Sequence, residues 1–190
     1  MWIFLTTELL LFGALFTAYA VYRLSYPAVF AAASRDLEAG LGAVNTAVLI
    51  GSSLGMAVAV YGAQTGGRRR LLFGLGLAAL LGTVFMVIKG VEYYHHYQHA
   101  EFPGLAFDYT RPHARETQVF FFLYFAMTGL HAVHLTVGIL LVLFILLKAY
   151  RRAYSPSYHT PVELSGLYWH FVDIVWIFIF PLLYLIDIHR

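Results

Sequence analysis

Five apolar stretches dominate the sequence, at residues 1–24, 41–64, 71–94, 118–147 and 164–188. Each is long enough to cross a hydrocarbon core of about 30 Å as a helix rising about 1.5 Å per residue. Inside a bilayer, backbone N–H and C=O groups find no water, so each stretch must bond within itself, and the helix does this. The expected fold is all-α: a polytopic membrane protein with a bundle of five transmembrane helices, residues 1–190 forming a single transmembrane domain. The chain is 61% apolar and 12% charged, whereas a soluble domain is about 25% charged. That balance excludes a freely diffusing enzyme, and also a disordered chain, which needs low hydrophobicity. There is no cysteine, hence no disulfide framework, thiolate metal site or cysteine nucleophile. A formal charge of +2 gives no basis for binding nucleic acid.

The first stretch does not read as a secretory signal. It lacks a basic start, carries Glu8 and runs too long. It is expected to be a true span, or the beginning of a chain shortened from a longer ancestor. The connections are short. The second holds Arg68, Arg69 and Arg70, and the fourth holds Lys148, Arg151 and Arg152. The first and third hold Arg23, Arg35, Arg111 and Arg115, spread over more residues. The denser basic loops belong on the cytoplasmic side, which puts the N-terminus in the cytoplasm and the C-terminus outside.

The second stretch has a small residue at every fourth position: Ala43, Ala47, Gly51, Gly55, Ala59 and Ala63. Small residues let helix backbones approach closely in lipid, so this row is expected to pack against a neighbouring span.

Ionisable residues at membrane depth cost a few kcal/mol each on insertion scales and need a partner or a cavity. Glu8 lies about 10 Å in from the cytoplasmic end. Lys89 and Glu92, His131 and His134, and His170 and Asp173 are pairs spaced three apart, each on one helix face. Under the expected topology a shared cluster of Glu8, His134, His170 and Asp173 is geometrically possible, with a histidine donating to a carboxylate. Three readings are open for it: a polar lock orienting the helices, a proton-handling role for Glu8, or metal ligation. The strings His95-His96-x-x-His99 and His131-x-x-His134 have the general look of a membrane di-iron oxygenase, and imidazole suits iron. They fall at different depths, however, and the first, followed by Glu101 and Asp108, reads as an interfacial patch. A small transporter using Glu8 and the histidine pairs is a further alternative. Tyr93, Tyr94, Tyr97, Trp169, Trp176 and Tyr184 read as an interfacial aromatic belt or as helix contacts.

Glu163 is followed, five residues on, by Tyr168-Trp169-His170-Phe171-Val172-Asp173-Ile174-Val175-Trp176. This string closely resembles the C-terminal helix of subunit III of haem-copper cytochrome oxidases. Thr128-Gly129-Leu130-His131-Ala132-Val133-His134-Leu135, followed by Gly138, is similar to that family's preceding helix. Asn45-Thr46 and Glu92-Tyr93 resemble pairs found at corresponding places. Glu8, before an apolar aromatic run, resembles the family's carbodiimide-reactive membrane glutamate. The matches keep their order along nearly the whole chain.

The resemblance implies a non-catalytic, all-helical subunit that stabilises the catalytic subunit I, binds phospholipid and supports proton uptake. Haem and copper are then held by partner subunits, and this chain binds no metal. Subunit I is the main contact, with subunit II and other respiratory subunits as further partners. Glu8 would lie near lipid and subunit I. Lys148, Arg151 and Arg152 would meet lipid head groups, which anionic lipid favours. Asn45, Thr46, Glu92, Tyr93, Thr128, Gly129, Glu163, Tyr168, Trp169 and Trp176 would be structural. The family's common form has seven helices, and this chain begins at what would be the third, which leaves a lipid-filled cleft without one wall. Such five-helix forms imply a bacterial plasma membrane. Relatives also serve quinol oxidases and accompany nitric oxide reductases.

Overall fold

A computed structural model describes residues 1–98 and 113–185. His99, Glu101, Asp108 and Arg111, and the end of the fifth apolar stretch, lie outside the described residues. Six helices follow in order: α1 (Trp2–Ser25), α2 (Pro27–Ser34), α3 (Ala39–Gln64), α4 (Arg68–Gln98), α5 (Ala114–Tyr150) and α6 (Thr160–Tyr184). Five of them, all but α2, are long and apolar enough to cross a membrane. Among the described residues there is no β-strand, so the chain is an all-α membrane protein.

The helices outrun the apolar stretches. α5 has 37 residues, about 55 Å at the usual rise and well beyond the hydrocarbon thickness. Its ends carry Arg115, Glu116 and Lys148, charges that the head-group region solvates, so nothing in the sequence stops the helix at the apolar boundary. The first connection also contains α2, a helix rather than a loop. Pro27 opens it with φ already fixed, and an alanine run favours it. It stays because Phe30 is fully buried, with Tyr19 and Phe120 rings at 5.5 and 5.3 Å.

α6 is central and α1 peripheral: half of the apolar core of α6 is enclosed by protein, against 11% for α1. α1 is held by Phe12 and Tyr19, its two buried side chains. The Tyr19 hydroxyl donates to Leu182 O at 2.5 Å. Leu182 lies in the last turn of α6, where carbonyls have no partner within the helix.

The closest approach is between α3 and α4. A Cβ on Gly74 would come within 2.5 Å of Gly55 O and 2.6 Å of Ala59 N. Only the lower half of the expected small-residue row makes this contact. Gly55, Ala59 and Ala63 are buried, while Ala43 and Ala47 are exposed. Four residues turn a helix by about 400°, so each step of an every-fourth row drifts about 40° and the row winds away from its partner. The face actually enclosed alternates steps of three and four: Gly42, Asn45, Leu49, Ser52, Met56, Ala59 and Ala63. Above this contact Trp169 of α6 enters a slot against Gly82 and Gly138. A Cβ on these would meet the indole at 2.8 and 3.3 Å.

Gly74→Ala should therefore lower the thermal unfolding midpoint in mild detergent, a cost of about 1–3 kcal/mol for overpacking. Gly76→Ala, with nothing within 4 Å of the added carbon, should leave it unchanged.

Candidate functional site

Two buried charges anchor one network. Lys89 and Glu92, one turn apart on α4, are 4% and 2% exposed. Lys89 Nζ donates to Glu92 Oε2 at 3.0 Å and to the Tyr184 hydroxyl at 2.5 Å. The Tyr124 hydroxyl donates to Glu92 Oε1 at 2.7 Å, and the Tyr184 hydroxyl donates to the same oxygen. The ammonium also lies 5.0 Å from the Trp176 ring centroid, within cation–π range. The network thus joins α4, α5 and α6, and each charge has partners for both its field and its hydrogen bonds. Removing one partner of such a pair strands the other in low dielectric.

The second site joins α1 to α5. His134 Nε2 lies 2.9 Å from Glu8 Oε2, and His134 Nδ1 lies 2.8 Å from Leu130 O. A carbonyl only accepts, so Nδ1 carries a hydrogen and donates it. The Nε2 contact then holds one further proton, shared between carboxylate and imidazole. In either location the pair is net neutral. The side chains are 13% and 14% exposed, so the pair borders the lipid-facing surface. Tyr168 donates to His134 O at 2.9 Å and so fixes α6 to the same turn.

His170 and Asp173 do not join this pair. They face α3, where the His170 Nδ1 and Ser53 Oγ are 2.6 Å apart. Asp173 is buried with neither oxygen in a hydrogen bond of ordinary geometry, and Ser53 is its polar neighbour. The four-residue cluster that the depths allow is therefore two separate sites, because α6 turns this face toward α3 while α1 lies against α5. His131 also stands apart from His134. It packs between Phe85 and Trp176 at 5.6 and 5.1 Å, with neither nitrogen bonded to another group.

The family-type residues mostly serve contacts between helices. Trp176 Nε1 donates to Thr46 Oγ1 at 3.1 Å, and Trp169 Nε1 to Ser52 Oγ at 3.0 Å. Tyr93 and Thr128 share a 2.6 Å hydroxyl bond beside Gly129. Asn45 is fully buried with neither amide atom bonded. Glu163 accepts from Gln64 Nε2 at 2.6 Å and lies 3.2 Å from His159 Nε2. Lys148, Arg151 and Arg152 sit at the end of α5, on the same side as Arg68, which donates to Tyr150 O at 3.0 Å. Of the aromatic residues, Tyr94 and Tyr97 are exposed as a membrane belt would be, while Tyr93, Trp169, Trp176 and Tyr184 are enclosed between helices.

The His95–His99 string is not one surface patch. His95 is exposed, 3.7 Å from Glu38. His96 is 5% exposed and packs on Tyr124 at 5.3 Å. Among the described residues no three of His, Asp and Glu are placed to hold a metal ion.

The ordered string of motif residues thus falls on helix-to-helix contacts through the whole bundle, and its family follows from a match of equal extent. The family described as Cytochrome c oxidase subunit III matches residues 1–187. The chain belongs to that family. It is 35% identical to a cytochrome c oxidase subunit 3 from Synechocystis, over 97% of this chain and 73% of that protein. It is similar also to a quinol oxidase subunit 3 from Bacillus subtilis, 29% identical over 98% of this chain and 85% of the relative. A cytochrome bo(3) ubiquinol oxidase subunit 3 from Pseudomonas aeruginosa is 28% identical, over 97% and 82%. A subunit III is part of a multisubunit oxidase complex, so partner subunits are implied.

Sequence reasoning missed Ser52, Ser53, Tyr19 and Tyr124. Their marker is a hydroxyl inside an apolar span, which lipid cannot satisfy; the charged residues drew attention first. For the buried network, Lys89→Met and Glu92→Leu should each cost about 3–5 kcal/mol of stability. The double variant should cost less than either single one. Detergent unfolding of the three variants checks this, and additive losses would refute a coupled pair.

Proposed function

We propose that this chain is the accessory, non-catalytic subunit III of a proton-translocating haem-copper respiratory oxidase. It packs against the catalytic subunit I, which holds haem and copper with oxygen reduction as its chemistry, and near subunit II. Its own work is to hold the catalytic subunit in place, bind phospholipid and support proton uptake. The observation that carries this reading is how the family-type polar side chains are used. Glu8–His134, Lys89–Glu92–Tyr124–Tyr184, Thr46–Trp176 and Ser52–Trp169 bind helix to helix, as a scaffold requires.

The Glu8–His134 pair suits the proton-related part of this role. It stores one proton at the edge of the bundle, where α1 leaves most of its surface for lipid or a partner. The membrane is a bacterial plasma membrane, with the N-terminus cytoplasmic and the C-terminus outside. Arg68, Arg69, Arg70, Lys148, Arg151 and Arg152 support this orientation, since they gather on one side and basic residues favour the cytoplasm. Relatives named for cytochrome c and for quinol oxidases match at comparable identity, so a quinol donor is the second reading.

Purification of the tagged chain in mild detergent tests the proposal. It should bring down a haem-bearing subunit with an oxidase visible spectrum. A stable monomer, or stoichiometric iron on this chain alone, would overturn it. Assay with reduced cytochrome c and with a quinol then separates the two donors. Glu8→Gln should leave assembly, haem content and initial turnover largely intact, because a glutamine N–H can still donate to His134 Nε2. A complex that loses haem in this variant would refute the modest role given to Glu8.

A further inference from the structure

A groove of about 430 Å³ lies between α3 and α6 on the outside of the bundle. That volume is within the range of small-ligand sites, about 300–1,000 Å³. Ala57, Val60 and Gly166 line it with little side-chain bulk. The two helices come close at Gly166, where a Cβ would meet Val60 Cγ2 at 2.9 Å. Tyr61 and Leu167 also line the groove and are exposed. Both helices are membrane spans, so the groove opens toward lipid.

Its polar groups stand at two ends. Glu163 and Gln64 line it where α6 begins and α3 ends, and His170 lines it two turns further along α6. Seven residues on one helix put Glu163 and His170 on one face, about 10.5 Å apart along the axis. Each keeps one atom for a ligand. Glu163 Oε1 accepts from Gln64 Nε2 at 2.6 Å and lies 3.2 Å from His159 Nε2, which leaves Oε2 without a bond among the described residues. His170 Nδ1 is engaged with Ser53 Oγ at 2.6 Å, which leaves Nε2. The carboxylate oxygen only accepts. Nε2 of a neutral ring donates or accepts, according to whether Nδ1 takes or gives the hydrogen shared with Ser53.

These two atoms suit a flat ring with a polar oxygen at each of two opposite positions. A para-hydroxyl pair with a hydrogen bond of about 2.8 Å at each end bridges this length. A phosphodiester suits the groove poorly, because the Glu163 carboxylate meets it with like charge. The carboxylate requires an O–H, and a hydroxyl left unpaired in lipid is costly. Quinone carbonyls only accept, so the reduced ring alone satisfies Glu163. We propose that the α3–α6 groove binds the head group of a membrane quinol, one hydroxyl donating to Glu163 and the other bonded to His170, in preference to the quinone. The step is binding alone. It goes beyond the proposed function, and it holds whether cytochrome c or a quinol feeds the complex.

Photolabelling of the purified complex tests this, anaerobically and with cyanide present, using a photoreactive short-chain benzoquinol and separately its quinone. Digestion and mass spectrometry map the label chain by chain, which separates this groove from any donor site on a partner subunit. Label is expected on residues 57–64 and 163–170. The quinol should label about tenfold better than the quinone, as one hydrogen bond to a charged group allows. Glu163→Gln keeps an oxygen for Gln64 and puts an N–H in place of the free oxygen. It should reverse the preference, so that the quinone labels better. Ala57→Phe fills the groove from an exposed position and should remove the label. Leu140→Phe, which adds the same ring on the exposed face of α5, should leave it unchanged. The site is overturned if quinol and quinone label equally, or if Glu163→Gln leaves the preference as it was. It is overturned also if phosphatidylglycerol displaces the label as readily as unlabelled quinol does. Should Glu163→Gln not assemble, Ala57→Phe decides, and label that persists there overturns the site. A complex with its haem spectrum and no label on this chain overturns the site alone. A labelled chain that purifies without a haem-bearing partner supports the site and overturns the proposed function.

Discussion

The buried pair of Lys89 and Glu92 fixes how three of the five spans meet. Neither charge can be left in hydrocarbon, so both must be matched by donors and acceptors from neighbouring helices. Tyr124 of α5 and Tyr184 of α6 supply these, which sets the height of both helices against α4. A slip of one residue on either helix would swing its tyrosine by about 100° and leave a charge without its bond. Apolar packing alone gives no such register, because lipid is as good a solvent for leucine as another helix is. Trp176, between the ammonium and Thr46, carries the same constraint on to α3.

With that register set, the small residues decide how closely helices approach. Gly55 and Gly74 bring α3 and α4 to backbone contact, and Gly82 with Gly138 make room for Trp169. α1 has no comparable feature. It rests on Phe12 and Tyr19, one bond to Leu182 and one to His134. The bundle is thus a tight four-helix core with a fifth helix laid against it.

Much of this was legible in the sequence, and the misses have physical causes. The spans follow from hydropathy because lipid imposes it, but their ends do not, since a helix can run on into the head-group layer. The three-residue spacings identified the polar faces of α4, α5 and α6. They could not say which neighbour each face meets, so Glu8, His134, His170 and Asp173 were grouped where the structure makes two sites. The motif string ending in Trp176 led to the family correctly, and most of its side chains, Trp169, Val172 and Trp176 among them, are buried between helices. Tyr124 and Tyr184 lie outside that string and carried only a hydroxyl inside an apolar span as their marker. An aromatic residue in a span is ordinary, and only a charge placed opposite makes its hydroxyl decisive. The His95–His96 pair misled for the reverse reason: adjacent residues on a helix point about 100° apart, so one faces out and the other in.

The bond between Glu8 and His134 spans 126 residues of chain. At a synthesis rate of about 5–20 residues per second, the glutamate is made roughly 6–25 s before its histidine. During that interval the first helix has neither its polar partner nor the two helices that cradle it. Until α5 and α6 arrive, nascent α1 carries the few kcal/mol that an unpartnered carboxyl costs in a span. Helices made later are what seat α1.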